Sequence, residues 1–527
     1  MYFHSFLYHK INKKSIKTYV YINLCQFSKS GIILIISKYK GFHMRRKLSC
    51  SSVIMLLLLA AAPCYAFDNA SSEISMLDAT GEWWSHPERS MTFLAVGDTN
   101  NDGHDDLLIG MNSFPDANEG WIYNSKPVLL VYDPKTSQYI VDTSFRDNVP
   151  KHIWSRRGLI SDLNNDGQTE IFIGGHGSDG WGFAMCGEQN ILMTRNGDQW
   201  MNVTSLLPQT SDFSHGLAHG DFDGDQTTDL LVINSPYVNK DKCSSTINPS
   251  NRSYFFGYED SENGKELEIK VNEKDLNLTN TRSFEEIHSG LAALLDNDEK
   301  PDLVFGTNLG LYILENRGWG KYVRAASFKP PTALLRIAED VGCMESSGVC
   351  NTPYSDFVTY DVDADGNLEV IASLAFQRDN GSWTGQHFQV LKRQNKKWKD
   401  ITSSIFPSQN MGPFEGHEWC MSLSVVDINN DGNADIVCNS ATNMGLRDGL
   451  ELYFIFEGGQ FRPLSSLSTE SELQEKLKNL AQKHPVLVGK ANLNGVPNLI
   501  AIFQLWVDES GKGETIKSFK IRALPLE

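Results

Sequence analysis

The sequence predicts an all-β fold, a seven-bladed β-propeller of four-stranded blades with calcium-binding loops. Three observations lead there. A nine-residue acidic loop recurs, each time between two short apolar runs. Its seven copies are spaced by about 65 residues along most of the 527-residue chain. Each period holds about four strand-like runs, and seven periods fall within the usual four to eight blades.

The first copy is FLAVGDTNNDGHDDLLIG, with Asp98, Asn100, Asp102, Gly103 and Asp106. The second has Asp162, Asn164, Asp166, Gly167 and Glu170. The third has Asp221, Asp223, Asp225 and Asp229, with Gln226 where the glycine stands elsewhere and Gly224 two residues earlier. The fifth has Asp361, Asp363, Asp365, Gly366 and Glu369, and the sixth Asp427, Asn429, Asp431, Gly432 and Asp435. Two copies are worn. The fourth begins at Leu294 and keeps Asp296, Asp298 and Asp302; the seventh reads Lys490, Asn492, Asn494, Gly495 and Asn498.

The intact loop is D-x-[DN]-x-D-G-x-x-[DE], with Gln226 the exception at position 6. Oxygens at positions 1, 3, 5 and 9, with the carbonyl at 7, can wrap one hard cation. Calcium accepts six to eight oxygens in relaxed geometry, whereas magnesium prefers fewer protein ligands. Glycine at position 6 permits the positive φ that turns the chain around the ion. The pattern begins like an EF-hand loop, but its last acid is at 9 and its flanks are strand-like. We therefore expect about five calcium sites. The alternative is a set of Asx-rich turns without metal.

Composition is that of a globular protein, with 40% hydrophobic and 21% charged residues, which excludes collagen-like, coiled-coil and disordered classes. Residues 1–66 hold ten Lys or Arg and no acid, so the remainder carries 37 basic and 65 acidic residues, a net of −28. Such a surface repels nucleic acid and anionic lipid. The five intact loops place 17 carboxylates at ligand positions, so five calcium ions would bring −28 to −18.

Met44 opens a signal-peptide pattern: Arg45, Arg46 and Lys47, an apolar run from Val53 to about Ala62, and small residues at Cys64 and Ala66. The run is too short for a stable membrane span. We read 1–43 as leader, 44–66 as signal peptide, and 67–527 as one propeller exported to the periplasm or beyond. Six Cys follow: Cys186, Cys243, Cys343, Cys350, Cys420 and Cys438. In an oxidising compartment an even count points to disulfides, here with 15 possible pairings. Proximity favours Cys343–Cys350. Cys420 and Cys438 flank one hairpin, which leaves Cys186 with Cys243.

Blade two reads as strands near 157–161, 170–174, 189–194 and 199–204. Residues 468–483 read as a short helix, with Thr469 and Glu472 as a capping box. Blade seven is one strand short before the chain ends. The spare segment 68–90 is expected to supply that strand and latch the termini together.

These repeats resemble the FG-GAP/VCBS repeat of integrin α-chain propellers, of many secreted bacterial proteins and of similar fungal sugar-binding propellers. The resemblance covers roughly residues 90–510. It implies calcium in the loop after the innermost strand of each blade, at the five intact loops. The worn fourth and seventh loops depart from it. The family is defined by its scaffold, and function must be argued from the site.

In such a fold the strand before each loop lines the central channel. Six residues before each loop stand Thr92, Arg156, His215, His288, Ser355, Met421 and His484. Arg156, His215, His288 and His484 form a candidate ring for an anionic or sugar ligand, favoured as the histidines protonate near pH ~6.5. The other reading is a solvated channel lining. Three inserts rich in Gly and Trp offer Trp121, Trp181 and Trp419 for stacking on sugar rings, although inter-blade packing also uses Trp. Three function classes compete: a module binding a carbohydrate or protein ligand; a polysaccharide lyase or hydrolase, with Glu415, His417 and Glu418 as its candidates; and an assembly scaffold. No GxSxG, HExxH or P-loop motif is present.

Overall fold

In the computed structural model, seven four-stranded antiparallel sheets succeed one another around a ring. The described residues are 71–80, 89–113, 124–178, 186–235, 248–250, 253–261, 264–268, 287–318, 321–379, 383–409, 419–440, 451–467, 475, 486–508 and 514–526, except 297, 347, 348, 408 and 430. The leader and signal segment (1–66) and the helix expected over 468–483, apart from Glu475, lie outside them.

The innermost strands are Arg89–Gly97, Ser155–Ser161, Ser214–Gly220, Ile287–Ala293, Tyr354–Tyr360, Cys420–Val426 and Leu487–Leu493. The first six are followed by an acidic loop, and Leu487–Leu493 by a tight turn; a second strand then follows that is largely buried, as in Asp229–Asn234 and Glu170–Gly175. These second strands read as continuous aliphatic runs because both faces are covered by neighbouring blades. Seven apolar clusters result, one at each blade–blade interface. Trp200 and Phe145 meet edge-to-face at 5.6 Å between blades one and two. Phe172 and Phe256 lie 5.3 Å apart between blades two and three.

Closure is made by the expected strand. Ser71–Ser75 runs antiparallel to Glu514–Pro525 and becomes the outer strand of blade seven, with Ile74 opposite Phe519. Among the described residues of the expected 68–90 segment, Ser71–Ser75 do this, and Arg89 and Ser90 already belong to the inner strand of blade one. The latch also reaches blade one, where Ser72 Oγ accepts the Tyr139 amide at 2.8 Å. At the loop end, Asn492 N donates to Asp105 Oδ2 (2.6 Å) and Asp105 N to Asn492 O (3.0 Å).

Cys343 pairs with Cys350 and Cys420 with Cys438, each with Cα atoms 5.5 Å apart. Cys186 is also disulfide-bonded, to a partner outside the described residues. The longest of the helices not expected, Thr332–Val341, follows blade four and buries Leu334 and Ala338 in the cluster between blades four and five. No helix among the described residues is long and apolar enough to cross a membrane.

Removing residues 67–80 should expose the edge of Glu514–Pro525. The expected outcome is aggregation by light scattering and loss of a single cooperative unfolding transition. Ile74→Ala, which opens a cavity at the seam, should cost about 2–4 kcal/mol in denaturant titration. An unchanged midpoint would mean that the latch carries no closure energy.

Candidate functional site

The five intact loops fold alike. In every intact loop the position-1 carboxylate accepts the amides of positions 5 and 6 of its own loop. Asp98 takes Asp102 N (3.2 Å) and Gly103 N (2.8 Å), and Asp162 takes Asp166 N (3.0 Å) and Gly167 N (2.8 Å). The same pair of bonds recurs at Asp221, Asp361 and Asp427. In loops one, two and five, two residues take positive φ, at positions 4 and 6: Asn101 (58°) and Gly103 (83°), or Ala364 (56°) and Gly366 (85°). Loop three exchanges the two, with Gly224 at 89° and Gln226 at 68°. That is why its glycine stands two residues early in the sequence.

The position-9 acid begins the buried second strand and turns back to the position-2 amide. Asp106 accepts Thr99 N, Glu170 Leu163 N, Asp229 Phe222 N, Glu369 Val362 N and Asp435 Ile428 N, at 2.8–3.0 Å. Burial pushes the carboxyl of Asp106 up to about 6 and those of Glu170 and Asp435 to about 7. A cation beside such a group is the physical means of keeping it ionised.

The donor sets suit a hard divalent cation in most loops. Asp221, Asp223 and Asp225 bring one oxygen each within 4.8 Å of one another, as do Asp361, Asp363 and Asp365. Loop five differs in one respect, because the Lys392 ammonium lies among its acids. Loop seven is no cation loop. Asn494 (φ 54°) and Gly495 (φ 75°) make a two-residue hairpin turn, with Leu493 paired to Val496 and Lys490 to Leu499.

At the other ends of the inner strands, aromatic and imidazole rings form an arc over blades two to six. Trp154 lies 4.1 Å from His176, His176 4.0 Å from Phe213 and 4.7 Å from His215, and His215 5.4 Å from His288. His288 meets Trp383 edge-on at 5.7 Å, and Trp383 lies 6.3 Å from Trp419. The Arg156 guanidinium sits over the Trp154 ring at 5.2 Å. Arg156, Trp383 and Trp419 are half-buried, whereas His176, His215 and His288 are buried.

The structure thus brings together Arg156, His215, His288 and Trp419 from the expected set. It adds Trp154, His176, Phe213 and Trp383. His484, Trp121, Trp181, Glu415, His417 and Glu418 lie outside the described residues. Part of the expected polar ring is structural. Thr92 Oγ1 donates to Ser155 O, His215 bonds the Ile287 backbone, and Ser355 Oγ donates to Cys420 O at 2.7 Å. In each pair the acceptor lies on the next blade, seven residues before its loop, so these bonds join neighbouring inner strands. A further group was missed. Arg157 crosses from blade two to Asp356 of blade five at 3.2 Å, where Ser289 (3.3 Å) and Leu423 N (2.8 Å) also donate.

The expected protonation of His215 and His288 near neutrality needs correction. Burial, with Arg156 nearby, holds both imidazoles well below their ordinary range, His288 at about 3. They stay neutral while the fold is intact, and the standing positive charge at the mouth is Arg156.

The FG-GAP-like repeat family matches at residues 162–232 and 361–438. No curated protein matches the sequence. Among solved structures, similar ones include an Agrocybe aegerita lectin specific for non-reducing terminal N-acetylglucosamine (11% identity, TM-score 0.36, covering 73% of this chain and 80% of that one). Another is the V. cholerae biofilm matrix protein Bap1 (12%, TM-score 0.35, covering 86% and 91%). A third is the rhamnogalacturonan lyase YesW (11%, TM-score 0.32, covering 87% and 90%).

The buried histidines oppose folding at acid pH. An unfolded chain takes up their protons near pH ~6.5, while the folded His288 does so only at about 3. Its stabilising contribution is present above pH ~6.5 and is lost as pH falls toward the folded value. The raised carboxyls of Asp106, Glu170 and Asp435 act in the opposite sense, so the check is a difference: on acidification from pH 6.5 to 4, His288→Gln should lose less melting temperature than the wild type. A variant with the wild-type slope would remove His288 from the account.

Proposed function

From the premise that this chain belongs to the FG-GAP-like repeat β-propellers, we propose that it is an exported, calcium-stabilised binding module that holds a carbohydrate at its channel mouth. One observation carries the reading. The ring arc runs unbroken across blades two to six at the end remote from the acidic loops, and it leaves Trp383, Trp419 and Arg156 half-exposed. Indole faces suit the apolar face of a pyranose, and a guanidinium suits its hydroxyls or a uronate. The mouth favours binding over catalysis. Among the described residues, its histidines His176, His215 and His288 are buried and held toward the neutral form, and Glu188 beside it accepts the amides of Ile153, Trp154 and Gly177 at 2.7–3.0 Å. The disulfides suit an oxidising compartment.

Calcium would be held by the position 1, 3, 5 and 9 side chains of the intact loops and would neutralise carboxylates that otherwise repel. An ion that binds only the folded form stabilises it by mass action. Chelation should lower the melting temperature by several degrees, and calcium should restore it. Native protein free of calcium by elemental analysis would sink the metal reading.

For the ligand, a glycan array on the purified chain should give hits, and Trp383→Ala or Trp419→Ala should weaken them about 10- to 30-fold, or roughly 2 kcal/mol. Unchanged melting temperatures would separate lost contact from lost fold. New reducing ends after incubation with polysaccharides would make the protein an enzyme. No hits, with binding to exported proteins instead, would leave the scaffold reading.

A further inference from the structure

The third strand of blade five, Trp383–Gln394, carries two basic residues in succession. Adjacent side chains on a strand point to opposite faces, so they reach different partners. Lys392 turns into the loop of its own blade. Its side chain is 5% exposed, and Nζ lies 2.5 and 2.6 Å from the Asp363 oxygens, 2.7 Å from Asp365 Oδ2 and 3.1 Å from Glu369 Oε1. Those are the position 3, 5 and 9 acids. Arg393 turns toward blade four. Its Nη2 is 3.0 Å from Glu315 Oε1 and 3.6 Å from Asp296 Oδ2, and Nη1 donates to Asp296 O at 3.4 Å. Asp296 is the position-3 acid of the worn loop. Glu315 follows Leu314, the partner of Leu303, and so stands opposite the position-9 acid Asp302.

We infer that Lys392 and Arg393 are the resident cations of loops five and four, so that calcium enters only loops one, two, three and six. This rests on the calcium reading above and changes its stoichiometry from five ions to four. An ammonium within hydrogen-bond reach of three of the four side-chain ligands fills the place a calcium ion would take. To admit the ion, Lys392 would have to withdraw from a buried position and give up its contacts to Asp363, Asp365 and Glu369. Blade two shows the same register without the lysine. There Thr194 pairs with Glu170 and donates to its Oε1 at 2.9 Å, whereas Lys392, one residue beyond the Val370–Leu391 pair, faces Glu369. Loop four lacks the position-1 acid, which is the exposed Leu294, and Arg393 supplies positive charge to the acids that remain.

The test uses the full purified chain. Bound calcium is counted by elemental analysis after dialysis against excess calcium, for the wild type, Lys392→Thr and Asp365→Ala. Separately, acetylation of Lys392 by acetic anhydride is followed by mass spectrometry in calcium and in chelator. Four ions in the wild type, five in Lys392→Thr and still four in Asp365→Ala support the inference. So does Lys392 that is equally protected in calcium and in chelator. Five ions in the wild type, falling to four in Asp365→Ala, would overturn it, as would a Lys392 that becomes reactive when calcium is added. A chain that binds no calcium at all would refute the calcium reading and, with it, the count. In that case protection of Lys392 without metal would still decide whether the ammonium resides in the loop. If Lys392→Thr fails to fold in chelator, its ion count is taken on protein purified throughout in calcium.

Discussion

A ring of packed sheets is stable only if its last sheet meets its first, and every other feature of this molecule depends on that closure. Each blade here has two apolar faces and buries both against neighbours. A ring left open would expose two such faces and two sheet edges at once. The chain solves this with five residues, Ser71–Ser75, which complete blade seven from the opposite terminus. Ile74 then enters the same apolar cluster as Leu107, Ile500 and Phe519. Side-chain bonds reinforce the seam at both ends, from Ser72 to Tyr139 and from Asp105 to Asn492. Closure is thus a long-range contact that can form only late, after the seven repeats have been placed.

Within the ring, the same short devices are used again in successive blades. The position-9 acid ties the loop to the start of the second strand in five blades. A side chain six residues before the loop binds the next inner strand in blades one, three and five. Arg157 and Asp356 then bridge the channel between blades that are not neighbours. Repetition fixes the radius of the ring, and the bridge crosses its interior.

The period, the blade count, the intact loops and the origin of the closing strand were all legible in the sequence, because each rests on local spacing. Even the odd loop three declared itself, since Gly224 and Gln226 merely exchange the two left-handed positions. The pairings Cys343–Cys350 and Cys420–Cys438 were legible for the same reason. What depends on cross-strand register was not. Nothing near Lys392 in the chain marks it as the partner of Asp363, some 30 residues earlier, rather than as a solvated surface charge. Burial of the mouth histidines was equally hidden, because Phe213, Trp154 and Trp383 reach them from three different blades. The helix Thr332–Val341 carried a helical spacing of Leu334, Leu335 and Ala338 after Pro331, but it lay in a connection where the repeat gave no reason to look.

One strand joins the two ends of the disc. Trp383–Gln394 begins at the mouth with Trp383 against His288 and Trp419, and ends in the acidic loops with Lys392 and Arg393. At twelve residues it is the longest strand of blade five, and most of it is buried. A strand whose far end is held by a tethered ammonium does not depend on the calcium supply for its position, because the charge that neutralises its loop is covalently part of it. The loops that would take calcium on the proposed reading flank blades four and five, in blade three and blade six. On that reading, Trp383 stands on a blade whose loop cation cannot be dialysed away, whereas Arg156 and Trp419 stand on blades two and six, whose loops would draw their neutralising charge from solution. That division would put the half-exposed Trp383 on the part of the propeller least altered when calcium is scarce.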